Sequence, residues 1–97
     1  MEIEWSKVAI KQLITALDFI EENGFDLYAA EVETSILSKV QALLSNPTFH
    51  PVDKFKNQND GSYRAFETYN YRISYRVQKN LLKIIRIRHT SRRTKGY

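Results

Sequence analysis

The residues best suited to chemistry in this chain are arginines, tyrosines and a histidine gathered in its last third. Arg64, Arg72 and Arg76 fall in strand-like runs, and His89 and Tyr97 follow them. A guanidinium grips a phosphate through two parallel hydrogen bonds. It also stabilises negative charge that develops during phosphoryl transfer. A tyrosine or histidine beside it could move a proton to or from a ribose 2′-hydroxyl. Together such groups would cleave RNA without a metal, by attack of the 2′-oxygen on the adjacent phosphate. Tyr97 and His89 are the candidates for proton transfer. A tyrosine titrates near 10 in water, so it would need nearby cations to act as a base. Packing at a strand end is an equal alternative for His89, and a core role is the stronger one for Tyr71 and Tyr75.

Other chemistries find little support. With no cysteine there is no disulfide, thiol nucleophile or thiolate metal site. His50 and His89 are the only histidines and no cysteine assists them, so no metal site and no cofactor are expected. No serine sits in a nucleophile elbow. The three glycines lie in different turns and cannot form a phosphate-cradling loop.

Charge is divided along the chain. Residues 1–60 carry five Lys against ten Asp and Glu, a net of −5; residues 61–97 carry ten Lys and Arg against Glu67, a net of +9. A basic half of this kind suits a polyanion, and it also suits strand faces that are merely solvated by cations. Lys54, Lys56, Arg76, Arg88, Arg93 and Lys95 are the candidates for RNA contact. Lys54 and Lys56 flank Phe55 in a loop, where a solvated connector is an equally open reading.

These side chains need elements to position them. Met1 to Trp5 alternates as a short strand. Ser6 is a good N-cap for a helix to about Glu22, with Ile10, Leu13, Ile14, Leu17 and Ile20 as its apolar stripe. Asn23-Gly24 stops it. Asp26 is expected to cap a second helix to about Leu44, striped by Ala29, Val32, Ile36, Val40 and Leu43. Asn46 to Ser62 has no period and reads as a long loop. Tyr63 to Thr68, Tyr71 to Val77 and Leu81 to Arg88 read as strands. Tyr69-Asn70 turns between the first two, and Gln78-Lys79-Asn80 between the last two, with Asn80 able to take a positive φ. The order β-α-α-β-β-β implies an α+β domain spanning 1–97: an antiparallel sheet packed on a helical hairpin on one face, its other face basic and partly open. Strict alternation puts Ile84, Arg86 and Arg88 on one face, and Arg64, Arg72 and Arg76 are expected to converge on the open one. No apolar run is long enough to span a membrane. The first residues lack the apolar region of a signal peptide, so a cytoplasmic protein is expected.

In this order the pieces resemble a known family. W-S-x-x-A from Trp5 to Ala9, the helical hairpin, Y-R-I-S-Y-R-V from Tyr71 to Val77 and I-R-I-R-H-T-S-R from Ile85 to Arg92 resemble the RelE/ParE superfamily of type II toxin–antitoxin toxins. The resemblance implies two possible targets. RelE-like members cut mRNA in the ribosomal A site, and ParE-like members block DNA gyrase without nuclease activity. For the first, favoured here, it implies Arg64, Arg72, Arg92 and Tyr97 as catalytic residues, with His89 matching members that use a histidine near the strand end. Phe66 stands where RelE itself has a second basic residue. The resemblance also implies an antitoxin partner that wraps the hairpin and the sheet.

Overall fold

The computed structural model describes residues 1–93 and 95–97. The chain runs β1 (Glu2–Trp5), α1 (Lys7–Glu22), α2 (Asp26–Ala42), β2 (Tyr63–Thr68), β3 (Tyr71–Gln78) and β4 (Leu81–His89). This is the expected α+β order. The sheet order is β1-β4-β3-β2. The meander β2-β3-β4 is antiparallel as expected, while β1 joins the edge parallel to β4, so the complete sheet is mixed. Among the described residues, no helix is long and apolar enough to cross a membrane.

Local signals account for most boundaries. The Ser6 hydroxyl accepts from the Ala9 N–H and donates to the Ile85 carbonyl, so one side chain both caps α1 and ties it to β4. Gly24 at φ +83° closes the helix. Asp26 does not cap α2. Phe25 holds that position without a side-chain bond, and Asp26 lies in the first turn, where its charge suits the helix dipole. Tyr69 and Asn70 take φ values of 50° and 64°, as a tight two-residue hairpin requires; the positive φ allowed at Asn80 is not used.

One face of the sheet packs on the hairpin. Ile73, Tyr75, Leu82 and Ile84 are fully buried with Val32 and Ile36 of α2. All five residues of the α2 stripe are buried. The α1 stripe is shifted: Ala9, Leu17 and Ile20 are buried, whereas Ile10 and Ile14 are 44% and 54% exposed. The buried face of α1 therefore runs through a small residue, Ala9, which lets the helix approach the sheet closely.

Register decides which side chains share a face. Tyr75 pairs with Ile84 and Ser74 with Arg86, so Ile85 is an extra residue, a β-bulge. The bulge corrects the strict alternation. Leu82, Ile84 and Ile87 all face the helices, while Arg86 and Arg88 face away. Without it, the apolar set on one side of the bulge would face solvent.

Candidate functional site

The face turned away from the helices is organised in cross-strand rows. Glu67, Arg72 and Arg88 form one; Ala65, Ser74 and Arg86 the next; Tyr63, Arg76 and Lys83 the third. This face is less open than expected. Ala65 and Ser74 at its centre are buried, because the long loop and residues 95–97 lie over them.

The loop is fastened along the β2 edge. The Asp53 N–H donates to the Tyr63 carbonyl at 2.8 Å, and the Ala65 N–H to the Pro51 carbonyl. The Asn59 amide donates to the carbonyls of Asp53 and Tyr63. These bonds swing Asp53 under the loop, where it is 1% exposed. Residues 55–57 then pair with the chain's last residues. The Tyr97 N–H donates to the Phe55 carbonyl at 3.0 Å, and the Asn57 N–H to the Tyr97 carbonyl at 2.6 Å.

Asp53 is the hub of the face. Oδ1 accepts from Arg72 Nη2 at 2.9 Å and from the Phe55 N–H at 3.0 Å. Oδ2 accepts from Ser74 Oγ at 2.8 Å and from the Tyr97 hydroxyl at 2.7 Å. Burial alone would raise its pKa, but hydrogen bonds from Arg72, Tyr97, Phe55 and Ser74 outweigh it and hold the carboxyl below its usual range. Nothing in the sequence singled out this residue. A lone acid in an aperiodic loop normally faces water, and only the folded loop reveals its partners.

Aromatic rings line the cations. The Arg86 guanidinium lies 3.9 Å from the Tyr97 ring centroid and donates to the Lys95 carbonyl at 3.0 Å. Arg72 lies 4.9 Å from Phe55, and Arg76 4.8 Å from Tyr63. Such contacts favour a desolvated cation. Arg72 also pairs with the exposed Glu67 at 3.0 Å, and Arg76 bonds Ser62 and lies 3.7 Å from Asp60.

The structure divides the sequence-derived candidates among three places. Arg72, Arg76, Arg88 and Tyr97 share the basic face, and Lys56 reaches it, 5.5 Å from the Tyr97 ring centroid. Lys54 is exposed beside Phe55, and Arg93 and Lys95 are exposed. Arg64 does not converge with Arg72 and Arg76. It pairs in register with Tyr75, on the helix side, and donates to the Thr48 and His50 carbonyls. His89 is likewise on the helix side, in register with Tyr71, its ring edge-on at 5.0 Å. Its Nδ1 bonds the Ser91 hydroxyl at 2.6 Å and accepts from the Ser91 N–H. Arg92 is exposed and borders, with Lys11, Gln12, Phe19, Tyr71 and His89, a cleft of about 490 Å³ between α1 and the end of β4. Arg64 misses the face because period-2 alternation puts it beside Phe66, a core residue.

Tyr97 is poorly placed to lose a proton. Burial raises the pKa of its hydroxyl, and the hydrogen bond to the Asp53 carboxylate raises it further. The neutral phenol is the donor that this carboxylate needs. Arg72, the cation at the centre of the face, has its charge matched by Asp53 and Glu67.

A two-helix hairpin against one face of a β1-β4-β3-β2 sheet is the architecture of a solved structure described as the chromosomal ParDE TA system from P. aeruginosa. The two chains are 18% identical, with 92% of this chain and 95% of that one covered, at a TM-score of 0.71. The family model for the ParE toxin of the type II toxin–antitoxin system parDE matches residues 3–94. The chain therefore belongs to the ParE toxin family, and membership implies a cognate antitoxin as its partner. No curated protein sequence matches it.

Proposed function

We propose that this chain is a cytoplasmic toxin that arrests growth by binding DNA gyrase, and that it does not cut mRNA. The observation that carries this reading is the Tyr97–Asp53 bond. A nuclease of the kind inferred from the sequence needs a tyrosine or histidine that exchanges protons beside a phosphate. Here the tyrosine hydroxyl is committed to a buried carboxylate, and the histidine lies on the opposite face of the sheet from Arg72. A negative charge at the centre of the basic face would also oppose a scissile phosphate. The ParE family name and the departure from the RelE pattern at Phe66 support the same target. The cognate antitoxin would hold the toxin silent until released.

Purified gyrase with relaxed plasmid tests the reading. The toxin should inhibit supercoiling and trap cleaved DNA complexes. Primer extension on mRNA from cells expressing it should show no new breaks. Normal supercoiling at excess toxin would sink the proposal, as would breaks within codons that disappear in Arg72→Ala.

A further inference from the structure

The basic face is short of acceptors. Arg72, Arg86 and Arg88 occupy two neighbouring rows, and among the described residues Asp53 is the one buried carboxylate. Arg72 Nε and Arg88 Nε are buried without an acceptor among the described residues. Four donors converge on Asp53 itself: a guanidinium, two hydroxyls and a backbone N–H. That donor set is also what a phosphate oxygen takes when a protein binds it. The donors come from β3, the loop and the chain's last residue, so the fold has assembled an oxyanion cradle and filled it with its own side chain.

We propose that Asp53 is an internal counter-ion occupying an anion site on the basic face, and that its charge shuts this site to phosphate groups. The ligand class excluded is the phosphate oxyanion, whether free or in a nucleic-acid backbone. Two anions at hydrogen-bonding separation in a partly desolvated site repel strongly. Asp53→Asn keeps an acceptor in place but removes the charge. Among the described residues, Glu67 at the exposed margin is then the carboxylate left pairing with Arg72. A phosphate bound beside the substituted side chain would restore the negative charge that the carboxylate supplied. Asp53 is thus a specificity-determining residue: it separates a basic sheet that binds polyanions from one that does not. The inference does not involve gyrase; it shares with the reading above the premise that the Asp53 charge opposes phosphate, and gyrase binding can hold if that premise fails.

Thermal melts of the wild-type protein and Asp53→Asn, with inorganic phosphate titrated at constant ionic strength, test it. Phosphate should raise the melting temperature of the variant by about 5 °C near saturation and move the wild type by less than about 1 °C. A second arm uses a labelled single-stranded RNA oligonucleotide and fluorescence anisotropy. A roughly tenfold gain in affinity in the variant, lost again in the double variant Asp53→Asn/Arg72→Gln, assigns the site to nucleic-acid phosphate. A phosphate-dependent melt without that gain assigns it to the free ion. Equal phosphate responses in the two proteins, large or nil, overturn the proposal, as does an RNA gain that survives loss of Arg72. If the variant does not fold, NMR of the arginine Nε–H groups in the wild type decides. Phosphate should shift Arg92 and Arg93 and leave Arg72 in place; a shift at Arg72 means that the site is open and the proposal fails.

Discussion

The two faces of the sheet are built from the same strands and held by different physics. The helix-packed face is a continuous apolar layer in which Ile73, Tyr75 and Ile84 share one buried cluster with residues of both helices. Its stability is spread over many contacts, none of them directional. Tyr75 adds one polar tie, donating its hydroxyl to the Pro47 carbonyl, and burial pushes its pKa up to about 12. The basic face has few apolar side chains. It closes because one carboxylate meets four donors and because aromatic rings cover the guanidiniums. A core of the first kind tolerates the loss of any one contact in proportion to its area. A polar cluster of the second kind depends on its hub.

The largest effect should come from the apolar side. Ile73→Ala should lower unfolding stability by about 4 kcal/mol in urea titration, because the site is walled by strands and helices that cannot collapse into the gap. A loss under about 1 kcal/mol would mean that this face is looser than its burial indicates.

Next is the hub. Asp53→Ala should cost about 3 kcal/mol by leaving Arg72, Ser74, Tyr97 and the Phe55 N–H without their acceptor. The same residue should shape the acid limb of stability. Its folded pKa is lowered, so its contribution is complete above about pH 4 and fades as pH falls below that through the folded value. Stability measured at pH 5 and pH 3 should fall more steeply in the wild type than in Asp53→Asn. Parallel slopes would mean that this cluster does not lower the carboxyl's pKa.

A single spoke should matter less than the hub. Tyr97→Phe keeps the ring against Arg86 and removes one hydrogen bond, with an expected loss of about 1 kcal/mol. Faster amide exchange at Asn57 and Tyr97 should accompany it. A loss as large as that of Asp53→Ala would make Tyr97, and not Asp53, the hub. The smallest effect belongs to the exposed pair of Lys83 and Glu4 at 3.8 Å. Lys83→Ala should change stability by less than about 0.5 kcal/mol, and a larger change would show that this margin of the basic face is coupled to its centre.

How far each face could be read in advance follows from the same contrast. Period-2 runs at Tyr71 to Val77 and helical spacing in the α2 stripe marked the apolar layer, because burial repeats along the chain. The stripe of α1 was misread at Ile10 and Ile14, since helix rotation is settled by what the helix packs on. The bulge at Ile85 was also invisible: an inserted residue is defined only relative to its partner strand. Arg72, Arg76 and Arg88 were placed on the right face by alternation alone. Arg64 was not, because grouping by residue type ignores the side of the sheet that each residue occupies; His89, left open between packing and catalysis, packs against Tyr71.

The sequence by itself determined the element order, the α2 stripe and the family, since all three are written in local spacing and in motifs of adjacent residues. Only the tertiary structure decided what the basic face is. Asp53 lies 19 residues from Arg72 and 44 from Tyr97 along the chain. Its meeting with them depends on how a loop without period is pinned to a strand edge. A buried charge has no signature of its own in sequence, because its partners come from wherever the fold brings them.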